Sequence, residues 1–212
     1  MRECRAKKRS LLLGGGVRMF KNINPSIAKI GNVDDVRVWS MPTYPDDRGR
    51  LFKAFSSENL ELLPIPFETC EHFFTESHLN VFRGMHFQGD PHPVSKIISI
   101  VQGSAIDFLF DMRQDSATFR NLQIVNLDEK NPSSIFIPTG VAHGYLATTE
   151  KTIISYRMDG AFCANCDGGF SGELLDNFLP IPFKNTIQSA RDSVLVQFQD
   201  YNYFSKCEDR IE

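Results

Sequence analysis

No apolar run in this chain approaches the roughly twenty residues that a helix needs to cross a bilayer, so a helical membrane span is not expected. An excess of charge is missing too. The 23 Lys and Arg against 26 Asp and Glu leave a net charge of −3, too weak a field to draw nucleic acid or an anionic membrane. An anionic ligand would have to be held by local Arg and Lys. Cysteine is scarce and odd in number, with Cys4, Cys70, Cys163, Cys166 and Cys207, which argues against a secreted disulfide framework. There is no His-x-His pair among His72, His78, His86, His92 and His143, so a metal site built from neighbouring strands is not expected. The CANC run at 163–166 has zinc or redox spacing, but no second ligand pair at matching spacing accompanies it. Its thiols read as structural or incidental. There is no internal repeat and no low-complexity linker, and the expected location is the cytoplasm.

A chain of 212 residues with 42% hydrophobic and 23% charged residues suits one domain with a real core. The basic MRECRAKKRS and the short apolar LLLGGGV show neither the apolar region nor the cleavage site of a signal peptide. Residues 1–18 read as a disordered extension, or as sequence upstream of a start at Met19, with a basic targeting tag as the alternative. Residues 19–212 are then the single domain. From about residue 36, short runs rich in β-branched and aromatic residues alternate with turn signals. VRVWSM, KIISIV, AIDFLF, NLQIVNL, SIFI and TIISYRM read as strands, separated by PDDRG, QGS, DMRQDSAT, DEKNPSS and TTEK. That spacing predicts an all-β sandwich or barrel. SSENLELL at 56–63 reads as one short helix with a serine cap, and SARDSVLVQFQDYNYF as another helical turn with an extended end.

Alternation assigns faces. Ile106, Phe108 and Phe110 share one side of their strand, and Asp107, Leu109 and Asp111 the other. Thr152, Ile154 and Tyr156 oppose Ile153, Ser155 and Arg157. Asp107, flanked by apolar mass, belongs at a wet rim or in a polar cavity. In a straight strand Arg83 and His86 would point apart, so they share a site only if Gly84 marks a bend or bulge. His86, Lys96, Asp107, His143, Tyr156 and Asp192 could converge in one cavity. A histidine oriented by a carboxylate is a natural base near neutral pH. A lysine or neutral histidine can hold an enolate oxygen, and a tyrosine can return a proton from the other side. Such a set suits proton abstraction beside a carbonyl; each residue alone would equally serve as a satisfied core group.

The segments DDRGRLFKAF (46–55), FRGMHFQ (82–88), SKIISIVQGSAIDFLFDMRQDSATF (95–119), IPTGVAHGYLA (137–147) and SARDSVLVQFQDY (189–201) together resemble the dTDP-4-dehydrorhamnose 3,5-epimerase family, in that family's order. The resemblance implies a cupin-type double-stranded β-helix, a jelly-roll barrel with short flanking helices. It also implies a homodimer, no metal, no cofactor, and a nucleotide-linked 4-keto-6-deoxy sugar as the ligand. By the same resemblance His86 falls on the general base, Asp192 on its partner acid, Tyr156 on the proton donor and Lys96 on the group that steadies the 4-keto oxygen. Asp107 and His143 match a second cavity pair, Arg83 and Arg48 match arginines near sugar and pyrophosphate, and Ser77 matches a small polar residue of the pocket.

The chain departs from the family where the nucleotide is expected. Glu71 and Phe73 stand near a usual Gln-x-Asn, and Lys53 replaces an acidic residue. RMDGAFCANCDGGFSGELLDN (157–177) lacks the usual Tyr-x-Pro, downstream Glu and aromatic-Asp-Pro. A changed shell around an intact centre points to a different nucleotide, a different sugar, or inversion at one carbon only. A 3,4-ketoisomerase and a cupin that binds a sugar nucleotide without turnover are the other readings. The ketoisomerases pair two neighbouring histidines, whereas here only His86 lies on its strand.

Overall fold

The computed structural model describes residues 29–201; the expected extension at 1–18, the Met19 start and residues 202–212 lie outside them. The chain forms β1 (Lys29–Ile30), β2 (Arg37–Ser40), β3 (Thr43–Asp46), β4 (Gly49–Phe52), the short helix α1 (Ser57–Glu61), β5 (Glu71–Ser77) and β6 (Phe82–Gln88). Next come β7 (Lys96–Gln102), β8 (Ser104–Asp111), β9 (Asn121–Asp128), β10 (Ser133–Ile137), β11 (Val141–Ala147), β12 (Thr152–Met158) and β13 (Asp167–Gly169). Short 3-10 turns, at Gly172–Phe178, Phe183–Asn185, Asp192–Val194 and Phe198–Asp200, complete the described chain.

Two sheets face each other, one in the order β1-β9-β8-β11-β6-β13 and the other β2-β10-β7-β12-β5, with β3-β4 a separate hairpin. The chain passes repeatedly from one sheet to the other along β6, β7, β8 and again along β9 to β12, which is the expected jelly roll. Between the sheets lie Ile98, Ile100, Leu109, Ile135, Ile137, Tyr145, Ala147 and Ile154. A second core covers the outer face of the six-stranded sheet, where Phe82, Met85, Phe108 and Phe110 meet Phe170, just after β13, and Leu175, Phe183 and Phe198 from the C-terminal turns. Each fully buried Phe contributes about 1.5–3 kcal/mol by leaving water.

This double covering explains why VAHGYLA shows no alternation: every residue of β11 is buried. The face assignments hold on β8, with Phe108 and Phe110 in the outer core and Leu109 in the inner one. They hold on β12 as well, where Thr152, Ile154 and Tyr156 are buried. The helix expected over 56–63 is shorter, Ser57–Glu61. The Ser56 N–H donates to Asn59 Oδ1 at 2.9 Å, and Pro64 lies three residues past its end. In the C-terminal run the helical character is two single turns.

Candidate active site

The histidine motifs lie side by side. β6 and β11 pair His86 with His143 and Arg83 with Tyr145, so β6 carries one extra residue between the two pairs. Gly84 absorbs it at φ +137. A Cβ on Gly84 would strike the Gly144 backbone, and one on Gly144 would sit 2.8 Å from both the Arg83 carbonyl and Met85 Sδ. The glycines of Arg-Gly-x-His and Ala-His-Gly are therefore a mutual requirement of close strand approach. With Met85 in the outer core, the bulge turns Arg83 and His86 together toward the space between the sheets, as the condition on Gly84 demanded.

His86 Nε2 lies 2.8 Å from Asp192 Oδ1, and its side chain keeps 24% exposure. Burial alone would raise the Asp192 carboxyl; the His86 hydrogen bond and charge, the Ser189 hydroxyl and the Gly84 N–H outweigh it and hold Asp192 below its usual range. Lys96 rises from β7 with its Nζ 3.5 Å from the His86 carbonyl, at the outer limit of a hydrogen bond. Desolvation brings its ammonium down to about 8, with Arg191 adding to the fall and Asp167 and Asp107 opposing it.

Deeper in, His143 Nε2 meets Asp107 Oδ2 at 2.8 Å. Burial pushes the Asp107 carboxyl up, against the pull of His143 and Lys96. Asp107 Oδ1 is buried with no hydrogen-bond donor among the described residues. Tyr156 stands on β12, in the opposite sheet, with its ring 5.9 Å from His143. Desolvation, with Tyr145 and Asp107 beside it, drives its phenol well above 10, so it stays protonated at neutral pH.

Arg83 Nε donates to Ser77 Oγ at 3.0 Å, and Ser77 Oγ lies 2.8 Å from the Tyr145 hydroxyl. These contacts gather eight of the nine expected site residues, namely Ser77, Arg83, His86, Lys96, Asp107, His143, Tyr156 and Asp192. Arg48 is not among them. It sits at the tip of the β3-β4 hairpin, 90% exposed, bonded to Asp46 Oδ2 at 2.6 Å.

Several participants escaped the sequence reading. Tyr145, in the Ala-His-Gly-Tyr motif, holds Ser77 and Thr75 through its hydroxyl. Phe73, noted only as a departure, stacks on Tyr156 at 5.1 Å and 4°. No downstream Glu was found, yet Asp167 supplies a carboxylate, paired with Arg191 at 2.7 Å and acting on Lys96. Arg191 adjoins Asp192 in SARD, a signal available in the sequence. A surface hollow of about 790 Å³ beside Gln88, Cys166 and Tyr201 includes none of the gathered histidines, Lys96 or Tyr156.

The gathered groups have a direction. One wall carries an imidazole backed by a carboxylate, the other a neutral phenol, and a poorly solvated ammonium stands near the first. Such an arrangement can take a proton from an acidified carbon, steady an oxyanion and deliver a proton from the opposite side.

The family model described as dTDP-4-dehydrorhamnose 3,5-epimerase matches residues 31–200. A Shigella flexneri dTDP-4-dehydrorhamnose 3,5-epimerase is 25% identical over 173 residues, covering 81% of this chain and 96% of its own. The Bacillus anthracis enzyme of that name, solved with TDP and PPi bound, superposes with a TM-score of 0.71 at 27% identity, covering 80% of this chain and 98% of its own. The Sulfolobus tokodaii enzyme of that name gives 0.73 at 26% identity over 83% and 98%.

Proposed function

We propose, from the premise that this chain belongs to the dTDP-4-dehydrorhamnose 3,5-epimerase family, that it inverts C3, C5 or both in a nucleotide-linked 4-keto-6-deoxy sugar. The observation that carries the proposal is the placement of His86 and Tyr156 on facing sheets. Inversion needs a base on one side of a carbon and an acid on the other.

In this reading the sugar ketone acidifies the neighbouring C–H. Neutral His86 takes the proton, and Asp192 stabilises the imidazolium that forms. Lys96 holds the charge that moves onto the 4-keto oxygen. The Tyr156 phenol then gives a proton to the opposite face of the carbon, and solvent restores both side chains. Buried Asp107 Oδ1 supplies an acceptor for a sugar hydroxyl. Arg83, fixed by Ser77, supplies a forked cation for the anionic part of the ligand. None of these steps calls for a cofactor. Among the described residues no helix is long and apolar enough to cross a membrane, and a cytoplasmic location is part of the proposal, since activated sugars are made there.

The proposal includes a homodimer. All but one residue of the β3-β4 hairpin is exposed, Tyr44 and Leu51 among them, and an isolated hairpin is marginal in water. Packing against a second copy would cover it and carry Arg48 toward that copy's ligand. Residues 19–212 are proposed as one folding unit.

Incubation in D2O with dTDP-, GDP- and CDP-linked 4-keto-6-deoxy sugars tests the function. Two deuteriums gained by mass, lost in His86→Asn, would mark exchange at C3 and C5, and one a single-carbon epimerase. Tyr156→Phe should still exchange a proton but fail to invert the centre. A sugar that binds without any exchange would leave a binding protein. Carbonyl migration to C3 would mark a ketoisomerase.

A further inference from the structure

We propose that His92, Cys163 and Cys166 bind a zinc ion, at a site separate from the catalytic candidates. The sequence offered Cys163 and Cys166 without a second ligand pair at matching spacing; the fold brings the third donor from another loop. One donor atom from each of the three residues lies within 4.8 Å of the others. A single turn, with the Cys166 and Asp167 N–H groups donating to the Cys163 carbonyl at 3.0 and 2.9 Å, brings both thiols to one side. Their sulfurs, 2.7 Å apart, part to about 3.8 Å when they share a tetrahedral zinc, a change that side-chain rotation supplies.

The two loops are fastened by the protein itself. Gln88 Nε2 donates to the carbonyls of His92 at 2.5 Å and Ala161 at 3.1 Å, while its Oε1 accepts the Cys163 N–H at 2.9 Å. The Gly89 N–H adds a bond to the Cys166 carbonyl at 2.9 Å. Loops fastened before the ion arrives lower the ordering cost of bringing its donors around it.

The chemistry of the donors selects the ion. Thiolate and imidazole suit zinc, whereas magnesium and calcium take oxygen ligands. A redox pair needs only the two sulfurs; an imidazole within reach of both is what a metal uses. Cys166 is buried and His92 exposed, so the site is anchored inside and open to entry from outside. Binding releases the thiol protons and ties the loop before β7 to the loop before β13. Asp167, the residue after Cys166, is the one that pairs Arg191 and acts on Lys96. The ion therefore sits one residue from that ion pair without joining the proton transfers, and this assignment does not depend on the epimerase reading.

The test uses the full chain, reduced, given zinc sulfate and freed of excess metal. Elemental analysis should find about one zinc per chain, falling to about a tenth or less in Cys163→Ser/Cys166→Ser. Cobalt(II) in the wild-type protein should give thiolate charge-transfer bands and tetrahedral d–d absorption, a readout that needs no variant to fold. His92→Ala should weaken zinc binding at least about tenfold. Three results would overturn the proposal: no zinc retained by the wild type, zinc retained by the folded double-serine variant, or no thiolate–cobalt band after reduction. An unchanged zinc affinity in His92→Ala would remove His92, and with it the site as proposed.

Discussion

Lys96 offers the sharpest test, because its environment makes it useful and costly together. Each factor of ten in proton affinity is about 1.4 kcal/mol. The fall from 10.5 to about 8 thus penalises the buried ammonium by about 3 kcal/mol. If the protonated amine steadies the enolate, kcat/KM must fall as pH rises through about 8. Only about a tenth of the enzyme would carry the charge at about pH 9, where an ordinary lysine would be almost fully protonated. Initial rates of sugar hydrogen exchange across this range read the effect directly. Lys96→Met should abolish that limb and slow exchange by about 100- to 1000-fold.

Stability should move the other way. Between about 8 and 10.5 the unfolded chain binds the proton that the folded chain has lost, so this group's destabilising contribution is full below about pH 8. It fades as pH rises toward 10.5. Lys96→Met, which keeps the packed stem, should therefore melt higher than wild type at neutral pH, by about 5 °C if half the penalty is recovered. A wild-type rate that stays flat to about pH 10, or a Lys96→Met variant both active and less stable, would remove Lys96 from this role.

Asp192→Asn should leave the fold intact yet cut exchange by about 100-fold or more, because the imidazole loses the carboxylate that orients it and balances its charge. Unchanged exchange would show that the 2.8 Å contact with His86 is structural only. Since Asp192 is held below its usual range, its contribution to stability is complete above about pH 4 and is lost as pH drops further; an acid melt of Asp192→Asn should be flatter there than that of wild type. Gly144→Ala, which forces a methyl to 2.8 Å from the Arg83 carbonyl and Met85 Sδ, should cost about 1–3 kcal/mol in denaturant unfolding. A neutral result would mean that β6 and β11 can part at little cost.

Much was readable because it is local. A strand with one face buried announces itself by alternation, as on β12, where Thr152, Ile154 and Tyr156 are buried and Ile153, Ser155 and Arg157 are less so. β11 escaped because it is buried on both faces, and β5 and the β3-β4 hairpin escaped because exposed edges carry little apolar pattern. The histidine motifs were legible as short runs of residue types, although the contact that requires their glycines joins β6 to β11 across sixty positions.

What could not be read is whatever depends on distant residues becoming neighbours. Spacing alone could not join Asp192 to His86 across 106 positions, a pairing that only the family resemblance implied, and His92 comes near Cys163 where Gln88 pins two loops together. Burial, which brings Lys96 down to about 8 and drives Tyr156 well above 10, belongs to the closed barrel and to no residue alone. Arg48 carries a motif as clear as that of His86 and stands in solvent, because its hairpin joins neither large sheet. Residue type and short-range spacing thus settled which elements form and which groups are chemically able. The meeting of those groups, and the proton affinity each then has, came only with the packing of two sheets, since desolvation and Coulomb energies depend on distance through space.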